Sequence, residues 1–467
     1  MSFVSLTFLT FFLCVFVSYW LVRRQGIQNL ILLVASYVFY GWINPWYAVM
    51  LGLSTIGDFF LARGIKQNPA RRKLFTWLSL ILNLGVLAFF KYFDFFNGGL
   101  AGLLGSLGLN IDPLLAGIIL PAGLSFYTLK KLAYVLDVSR GVLEPTRDLI
   151  PFALYVSFFP QIVSGPIDRF QKLFPQFQQT RIWKADNFHA AWPLLVMGLF
   201  KKIVIADTMK IIVDRVFNLQ QPTKLLLLSA GIGFTLEILA DFSAYTDLSR
   251  GFSHLLGFET SENFNRPYLS LTPTDFWNRW HITLSTWLRD YIFFPVRRAL
   301  LKRREKLPEW VAQLAPPLVT MLVCGVWHGA GWTYVIWGLY YGLLIAGYQM
   351  AGIRGDWKPS GRIKTFLAWL IMSAFIVFGW LIFRSPSISW LMNVVLLSPW
   401  LQDRADLVVI VITLSMTLLY AAPLILKLFL DRLPSQNFAN SIYFALLTLG
   451  IIIFISSASP DFIYFQF

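Results

Sequence analysis

Long apolar runs recur from one end of the chain to the other, and this feature constrains the fold more than any other. Several runs reach the roughly 20 residues that a helix needs to cross the core of a bilayer, and shorter ones need flanking residues or re-entrant geometry. A transmembrane barrel would instead show short segments of alternating hydrophobicity. We therefore expect an all-α polytopic membrane protein with roughly ten to twelve transmembrane or re-entrant helices. The clearest runs are residues 3–22, 27–42, 46–62, 74–93, 225–239, 366–383, 407–426 and 444–455.

The charge distribution predicts how these helices are oriented. The chain is 57% hydrophobic and 13% charged, with a net charge of +15 at pH 7. Basic residues collect in short loops, which stay on the cytoplasmic side of a membrane. The basic balance therefore indicates a lipid bilayer rather than a nucleic acid as partner. The basic loops are residues 23–24, 63–73, 140–147, 297–306, 354–364 and 427–432.

Alternating the helices from these loops places both chain termini outside a multi-pass protein of the cell membrane. The first run has no basic region before it and no small-residue cleavage site after it. This pattern predicts a retained membrane helix rather than a removed signal peptide.

The chain offers no framework of cysteines or metal ligands. Cys14 and Cys324 are the only cysteines, and both lie in apolar runs. Neither a disulfide framework nor a cysteine-rich zinc site is expected, and we expect no bound metal or cofactor. No fixed-period repeat or linker divides the chain, which predicts a single domain over residues 1–467.

Between residues 120 and 295 the hydrophobicity becomes uneven. A helix that begins as a membrane segment carries Lys130, Lys131 and Asp137, and a following stretch places Pro160 and Gly165 where bilayer depth is expected. Non-helical backbone at that depth is tolerated only where protein or a water-filled cavity surrounds it. The region either forms interfacial helices on the cytoplasmic face or lines a funnel that leads to a buried site.

The segment 263–296 carries the highest density of polar and aromatic residues. Thr272 before Pro273 predicts a helix N-cap, with Asp275 as a variant of the capping box. We expect a helix of about twenty residues to follow, with polar positions at helical spacing. Such a helix lies in the interface or lines a cavity, because its polar side cannot face lipid. One polar stripe is Asp275, Arg279, Thr283, Thr286 and Asp290, and a second is Asn278, His281 and Ser285.

His328 lies inside the run "CGVWHGAGWTYVIWG", although the chain holds only 4 histidines. An ionisable group within an apolar segment is costly and indicates a functional site. Burial favours the neutral imidazole, which is the form that acts as a general base. The alternative is a core histidine hydrogen-bonded across two helices. Cys324 shares its helix face, so a Cys–His pair is conceivable, although a buried thiol more often only fills space.

Six motifs together resemble the membrane-bound O-acyltransferase family. They are similar to the polysaccharide O-acetylation branch, to which alginate O-acetyltransferase belongs. In chain order the motifs are "LSFYTL" at 124–129, "SFFPQIVSGPIDRF" at 157–170, "DFSAYTDLSRG" at 241–251, "ENFNRPYLSLTPTDFWNRWHITLSTWLRDYIFFP" at 262–295, "GVWHGAGWTYVIWG" at 325–338 and "FIYFQF" at 462–467.

The resemblance implies one fold with core motifs over 120–340 and C-terminal helices with an outward aromatic tail over 366–467. Its helices would surround a central funnel that holds the acyl donor on the cytosolic side, with an outer cavity for the acceptor. His328 would be the catalytic histidine and His281 the second characteristic polar residue. The chain departs from the family pattern at Lys130–Lys131, at "SAYTD" and at "VRRALLKRREK".

The implied reaction is acyl transfer, with acetyl as the expected group, from a cytosolic thioester to the hydroxyl of an exported polysaccharide. We expect Asn278, Trp327, Ser285, Arg289 and Asp290 to contact the substrate or the donor. Asn278, Trp327 or His281 could stabilise charge on the carbonyl oxygen. The donor would be acyl-CoA or an acyl-carrier protein, and the basic loop 297–304 suits its phosphates. Ordinary positive-inside charge explains that loop equally well.

Other function classes remain open at this point. An acyltransferase of the same fold could act on a teichoic acid, a lipid or a protein. A transporter without chemistry often shows two matching halves, and the sequence shows no such symmetry.

The tail "DFIYFQF" allows two interpretations. It is either an aromatic belt at the outer headgroups or a carrier in which Tyr464 accepts the acyl group and a periplasmic partner moves it to the polymer. A phenol with a pKa of about 10 leaves more readily than a sugar alkoxide.

Overall fold

The computed structural model describes residues 1–106, 120–303, 307–433, 437–455 and 462, and these residues form helices and connecting turns without strands. The helices are α1 (Leu6–Leu21), α2 (Gln25–Gly41), α3 (Pro45–Gln67), α4 (Arg72–Ser106), α5 (Leu124–Ser139), α6 (Leu149–Ser157), α7 (Phe170–Phe177), α8 (Ala185–Phe200), α9 (Asp207–Phe217), α10 (Lys224–Leu255), α11 (Pro273–Arg279), α12 (Ile282–Leu288), α13 (Phe294–Leu301), α14 (Glu309–His328), α15 (Trp332–Met350), α16 (Arg362–Arg384), α17 (Ile388–Leu397), α18 (Arg404–Leu430) and α19 (Asn437–Phe454).

Every apolar run predicted from the sequence falls on a helix, so the all-α prediction is confirmed. Within the described ranges, 6 helical stretches are long and apolar enough to cross a membrane. Three shorter apolar helices accompany them, at Leu6–Leu21, Ile388–Leu397 and Phe438–Phe454. The long stretches are Pro45–Gln67, Pro69–Phe93, Lys224–Leu255, Glu309–His328, Arg362–Arg384 and Arg404–Leu430.

The chain divides into two compact units. The first contains Met1–Trp192 and Leu248–Ser261, and the second contains Pro193–Asp247 and Glu262–Phe467. Helix α10 contributes residues to both. The single domain expected from the sequence stays a prediction, and each unit is described separately below.

The first unit buries charged side chains by pairing them. Lys131 of α5 lies 3.5 Å from Asp58 of α3, and both side chains are almost fully buried. Asn83 of α4 donates to the same carboxylate at 2.8 Å and 3.0 Å, and Ser79 also donates to it. Because a buried charge is costly unless it is paired and hydrogen-bonded, these contacts explain how α5 carries a lysine within an apolar core.

The stretch around Pro160 is buried non-helical backbone. Residues 158–168 lie between α6 and α7 without helical structure, and their side chains are buried in the first unit. Lys130 donates to Gln161 Oε1 at 3.1 Å, and Gln161 donates to Asp168 at 2.6 Å. Protein therefore surrounds this non-helical backbone, which is the condition under which such backbone is tolerated at bilayer depth. Purely interfacial helices do not describe this stretch.

In the second unit, glycines bring α14 and α15 into close contact. A Cβ atom at Gly325 would overlap the carbonyl oxygen of Tyr334, and one at Gly338 would overlap the carbonyl oxygen of Met321. Small residues at such positions let helix backbones approach. The glycine-rich run therefore builds a tight helical hairpin that carries His328 at the end of its first arm.

The prediction of one helix of about twenty residues from Pro273 is wrong. Thr272 caps α11 as expected, accepting from the Asp275 backbone N–H at 3.1 Å. The helix nevertheless ends at Arg279, because Trp280 is extended and His281 has φ 43° and ψ 53°. The chain then restarts as α12, a π-helical segment (Arg289–Phe293) and α13. The two polar stripes drawn on a continuous helix therefore do not exist as such.

Candidate active site

His328 is the last residue of α14 and lies in an aromatic enclosure. Its side chain is buried, with 6% exposed. The imidazole packs edge to face against Trp337 of α15, with ring centroids 5.2 Å apart, and against Phe383 of α16 at 5.4 Å. Residues of α15 and α16 thus fix the ring of His328 at the end of α14.

His281 is held in a backbone conformation that few residues adopt. Its positive φ lies in the left-handed region, which costs a non-glycine residue roughly 1–3 kcal/mol and persists only where the surroundings enforce it. Asn263 supplies that enforcement. Its backbone carbonyl accepts from Ile282 N–H at 2.9 Å, and its side-chain oxygen accepts from Thr283 N–H at 3.1 Å. Asn263 therefore caps the start of α12 from outside the helix.

The same amide fixes the tautomer of His281. The Thr283 backbone N–H can only donate, so the atom it contacts is the Asn263 carbonyl oxygen. His281 Nδ1 lies 3.1 Å from that oxygen and must donate to it. The neutral ring then carries its lone pair at Nε2. Burial lowers the pKa of His281 to about 3, so the neutral form prevails at physiological pH.

The ring of Trp327 packs against both histidines. Its ring centroid is 4.8 Å from that of His328 and 6.2 Å from that of His281. Phe242 of α10 packs edge to face on His281 at 4.7 Å. The two histidines singled out in the sequence, 47 positions apart in the numbering, therefore belong to one cluster within the second unit.

A mainly apolar cavity of about 380 Å³ lies beside this cluster. Trp277 forms part of its wall and contacts Trp337 at 5.6 Å, and Trp337 in turn contacts His328. Met321 also lines it and precedes His328 on α14 by about two turns, or roughly 10 Å. The lining residues are Thr274, Trp277, Asn278, Ile282, Ser285, Thr286, Leu288, Arg289, Phe293, Arg297, Pro317, Thr320, Met321, Ile345 and Gln349.

A second cavity of about 430 Å³ adjoins the first and is more polar. The two share Thr274, Phe293, Arg297 and Gln349 in their walls. Arg354 and Gln313 complete its polar lining. The two cavities therefore share part of their walls, and the second is lined by two arginines, whose guanidinium groups bind phosphate oxygens well.

The residues expected to contact the substrate or the donor fall in different places in the structure. Asn278, Ser285 and Arg289 line the first cavity, and Trp327 belongs to the histidine cluster. Asp290 lies on the π-helical segment, where its carboxylate is 3.6 Å from Arg289.

The remaining candidates from the sequence fall elsewhere. Cys324 is fully buried and His189 is exposed. Tyr464 and Arg304 lie outside the described residues. Among the residues that are described, no group of three or more histidine, cysteine or acidic side chains comes together as a metal site.

Asn263 is the residue of this cluster that sequence reasoning missed. It stands in the quoted motif "ENFNRPYLSL", but it lies 18 residues before the histidine that it orients. Neither helical nor strand periodicity links positions so far apart, so only the motif itself could have drawn attention to it.

Comparison with known proteins identifies the family of this chain. The profile of the membrane-bound O-acyltransferase family (MBOAT) matches residues 4–385. A probable alginate O-acetylase AlgI from Pseudomonas aeruginosa is 36% identical over 399 residues, covering 84% of this chain and 74% of the relative. A peptidoglycan O-acetyltransferase from Helicobacter pylori is 31% identical over 388 residues, covering 76% and 71%.

A teichoic acid D-alanyltransferase from Bacillus subtilis is 30% identical over 269 residues, covering 56% of this chain and 68% of the relative. The family match includes both histidines, Asn263 and the cavity residues, and it ends before α17. The chain belongs to the membrane-bound O-acyltransferase family and is a multi-pass membrane O-acyltransferase.

Proposed function

We propose that this enzyme moves an acetyl group from a cytosolic thioester to an exported polysaccharide, with His328 as the general base. The observation that carries the proposal is the pair of buried histidines that both contact Trp327, near an apolar cavity that shares part of its wall with an arginine-lined one. The two relatives that cover 84% and 76% of this chain are named a probable alginate O-acetylase and a peptidoglycan O-acetyltransferase. The acetyl group and the polysaccharide follow from those names.

The reaction exchanges one acyl bond for another. The acceptor oxygen attacks the carbonyl carbon, a C–O bond forms, and the C–S bond breaks. His328 takes the hydroxyl proton and returns it to the departing thiolate, so the products are an ester and a free thiol. General-base action of this kind contributes about a hundred- to ten-thousand-fold.

The tautomer of His281 narrows the assignment of the oxyanion donors. Its Nδ1 proton is committed to Asn263, and burial opposes a second proton at Nε2. Nε2 therefore suits an acceptor of a hydrogen bond from the bound substrate rather than a donor to the carbonyl oxygen, while the attacking hydroxyl gives its single proton to His328. Asn278 and Trp327 are left as the proposed donors to the developing negative charge.

The donor is proposed to enter through the arginine-lined cavity. Arg297 and Arg354 would bind its phosphate, while its acyl-bearing arm would extend along Trp277 toward the histidines. Coenzyme A and the prosthetic arm of a carrier protein both present a phosphate, an apolar arm and a thioester. Replacing Arg354 by Ala should raise KM for a phosphate-bearing donor and leave KM for an N-acetylcysteamine thioester, which has no phosphate, unchanged. An equal rise for both would contradict the phosphate assignment.

The acetyl group must also reach a polymer outside the membrane. We propose that both chain termini lie outside the cell membrane and that Tyr464 receives the acetyl group before a periplasmic partner transfers it to the polymer. Replacing Tyr464 by Phe removes only the hydroxyl and should abolish acetylation of polymer in cells. Wild-type acetylation by that variant would reduce the tail to an aromatic anchor.

The role of His328 is tested on purified protein. His328→Ala should lose thioester turnover while remaining folded, and His281→Ala should lose it in part. His189→Ala is the matched control, because His189 is exposed and distant in sequence from every site residue. Near-normal turnover by His328→Ala would make this histidine structural.

A further inference from the structure

Lys202 is a buried cation in the second unit. It belongs to the π-helical segment Lys201–Ala206, and only 1% of its side chain is exposed. Its ammonium lies 2.9 Å from a carboxylate oxygen of Asp207 and 2.9 Å from one of Asp241. These two contacts fix the position of a charge that would otherwise be very costly to bury.

The ring of Phe462 lies on this cation. The ring centroid is 4.4 Å from Lys202 Nζ, and the ring packs edge to face against Tyr245 at 5.2 Å. Phe462 is 1% exposed. An aromatic ring attracts a cation through its negative face, and the attraction is strongest where water is excluded. A residue that anchored the tail in lipid headgroups would instead present its ring to the bilayer.

This contact lies on the helix that also touches the histidine cluster. Tyr245 follows Phe242 by three residues on α10, and residues three apart share a helix face. Phe242 packs on His281 at 4.7 Å. Tyr464 follows Phe462 by two residues, so covalent geometry keeps their Cα atoms within about 8 Å of each other.

We propose that Phe462 is a positioning residue: its ring, held by Lys202 and Tyr245, fixes this point of the chain against α10, the helix that touches the histidine cluster. The inference rests on the proposed function, in which Tyr464, two positions after Phe462, accepts the acyl group. The Phe462 ring binds to Lys202, which Asp207 and Asp241 hold in place. The buried charge of Lys202 is what selects an aromatic ring over an aliphatic side chain of similar size.

The anchor is tested without relying on activity. The purified full-length protein is treated with a carboxypeptidase, and removal of C-terminal residues is followed by intact mass. Losing a desolvated cation–π contact should weaken the anchor at Phe462 about thirty-fold. The carboxypeptidase should therefore remove C-terminal residues from Phe462→Ala correspondingly faster than from wild type. Phe462→Trp should restore protection and Phe462→Leu should not. Phe454→Ala, at an exposed phenylalanine of α19, is the matched control and should behave as wild type.

Activity then separates positioning from mere packing. Phe462→Ala should reduce kcat for polymer acetylation at least tenfold while leaving KM for the thioester and its slow hydrolysis unchanged, and Phe462→Trp should rescue kcat. Unchanged trimming of Phe462→Ala, or full polymer acetylation by it, would each overturn the proposal. If wild-type protein fails to acetylate any polymer, the proposed function fails, and the trimming result still decides whether Phe462 is an anchor.

Discussion

Replacing Asn263 separates its two tasks, because its side-chain oxygen serves both the backbone of α12 and the ring of His281. That oxygen accepts hydrogen bonds from Thr283 N–H at 3.1 Å, from the Thr283 hydroxyl at 3.0 Å and from His281 Nδ1 at 3.1 Å. Asn263→Leu removes all three and leaves their donors buried. At about 1 kcal/mol for each bond, we expect a loss of about 3 kcal/mol in unfolding free energy.

Asn263→Asp keeps the accepting oxygen and changes the charge beside His281. The amino group that it removes has no hydrogen-bond partner among the described residues, so the fold should tolerate the change. A carboxylate next to an imidazole raises its pKa. The pKa of His281 should therefore rise, and below its new pKa His281 is protonated and loses the lone pair at Nε2.

The assay is thioester turnover and thermal melting between pH 5 and pH 9. Asn263→Leu should melt several degrees lower. Asn263→Asp should melt near wild type but lose turnover at low pH and regain it as the pH rises through the new pKa of His281. Asn265→Asp adds the same charge at an exposed position two residues away and serves as control. A pH–rate profile of Asn263→Asp that matches wild type would refute the requirement for a neutral His281.

Three further perturbations have expected outcomes. Lys131→Met should destabilise the first unit by about 3–5 kcal/mol by leaving the Asp58 carboxylate buried without its cation, and adding Asp58→Asn should recover most of the loss in melting temperature. Gly325→Ala should lower the yield of folded protein, since its Cβ would overlap the facing backbone, whereas Gly347→Ala meets nothing within 4 Å and should not. The neutral His281, with its pKa of about 3 against about 6.5 when unfolded, should make wild-type melting temperature fall as the pH drops from 6.5 toward 4, and His281→Gln should flatten that slope.

The sequence predicted the parts of the fold that depend on local pattern. Each apolar run became a helix because a helix satisfies its own backbone hydrogen bonds in lipid. Thr272 and Pro273 marked the start of α11 correctly because capping is decided within one turn.

The parts that depend on distant partners could not be predicted. The break at His281 depends on the carbonyl and side-chain oxygens of Asn263, and nothing within the 273–293 pattern signals it. The sequence did not explain Lys131 among its apolar neighbours, because its partner Asp58 lies on α3, two helices earlier in the chain.

The candidate site shows the same division. His328 stood out because an ionisable group in an apolar run is rare, and the family resemblance gave it a role. The cavity beside Trp277 and the arginines of its neighbour come together only when α11 to α15 are packed. The sequence alone therefore identified residues of the candidate site but not the cavities.

The most direct test of the account is transfer of the acetyl group across a membrane. Purified protein is reconstituted in proteoliposomes, a thioester with an isotope-labelled acetyl group is supplied on the face that carries the basic loops, and label is measured in products on the opposite face. Wild-type protein should deliver label to that face, His328→Ala should deliver none above protein-free vesicles, and His189→Ala should match wild type. Equal delivery by His328→Ala, or label that stays on the donor side with wild-type protein, would contradict the proposed mechanism.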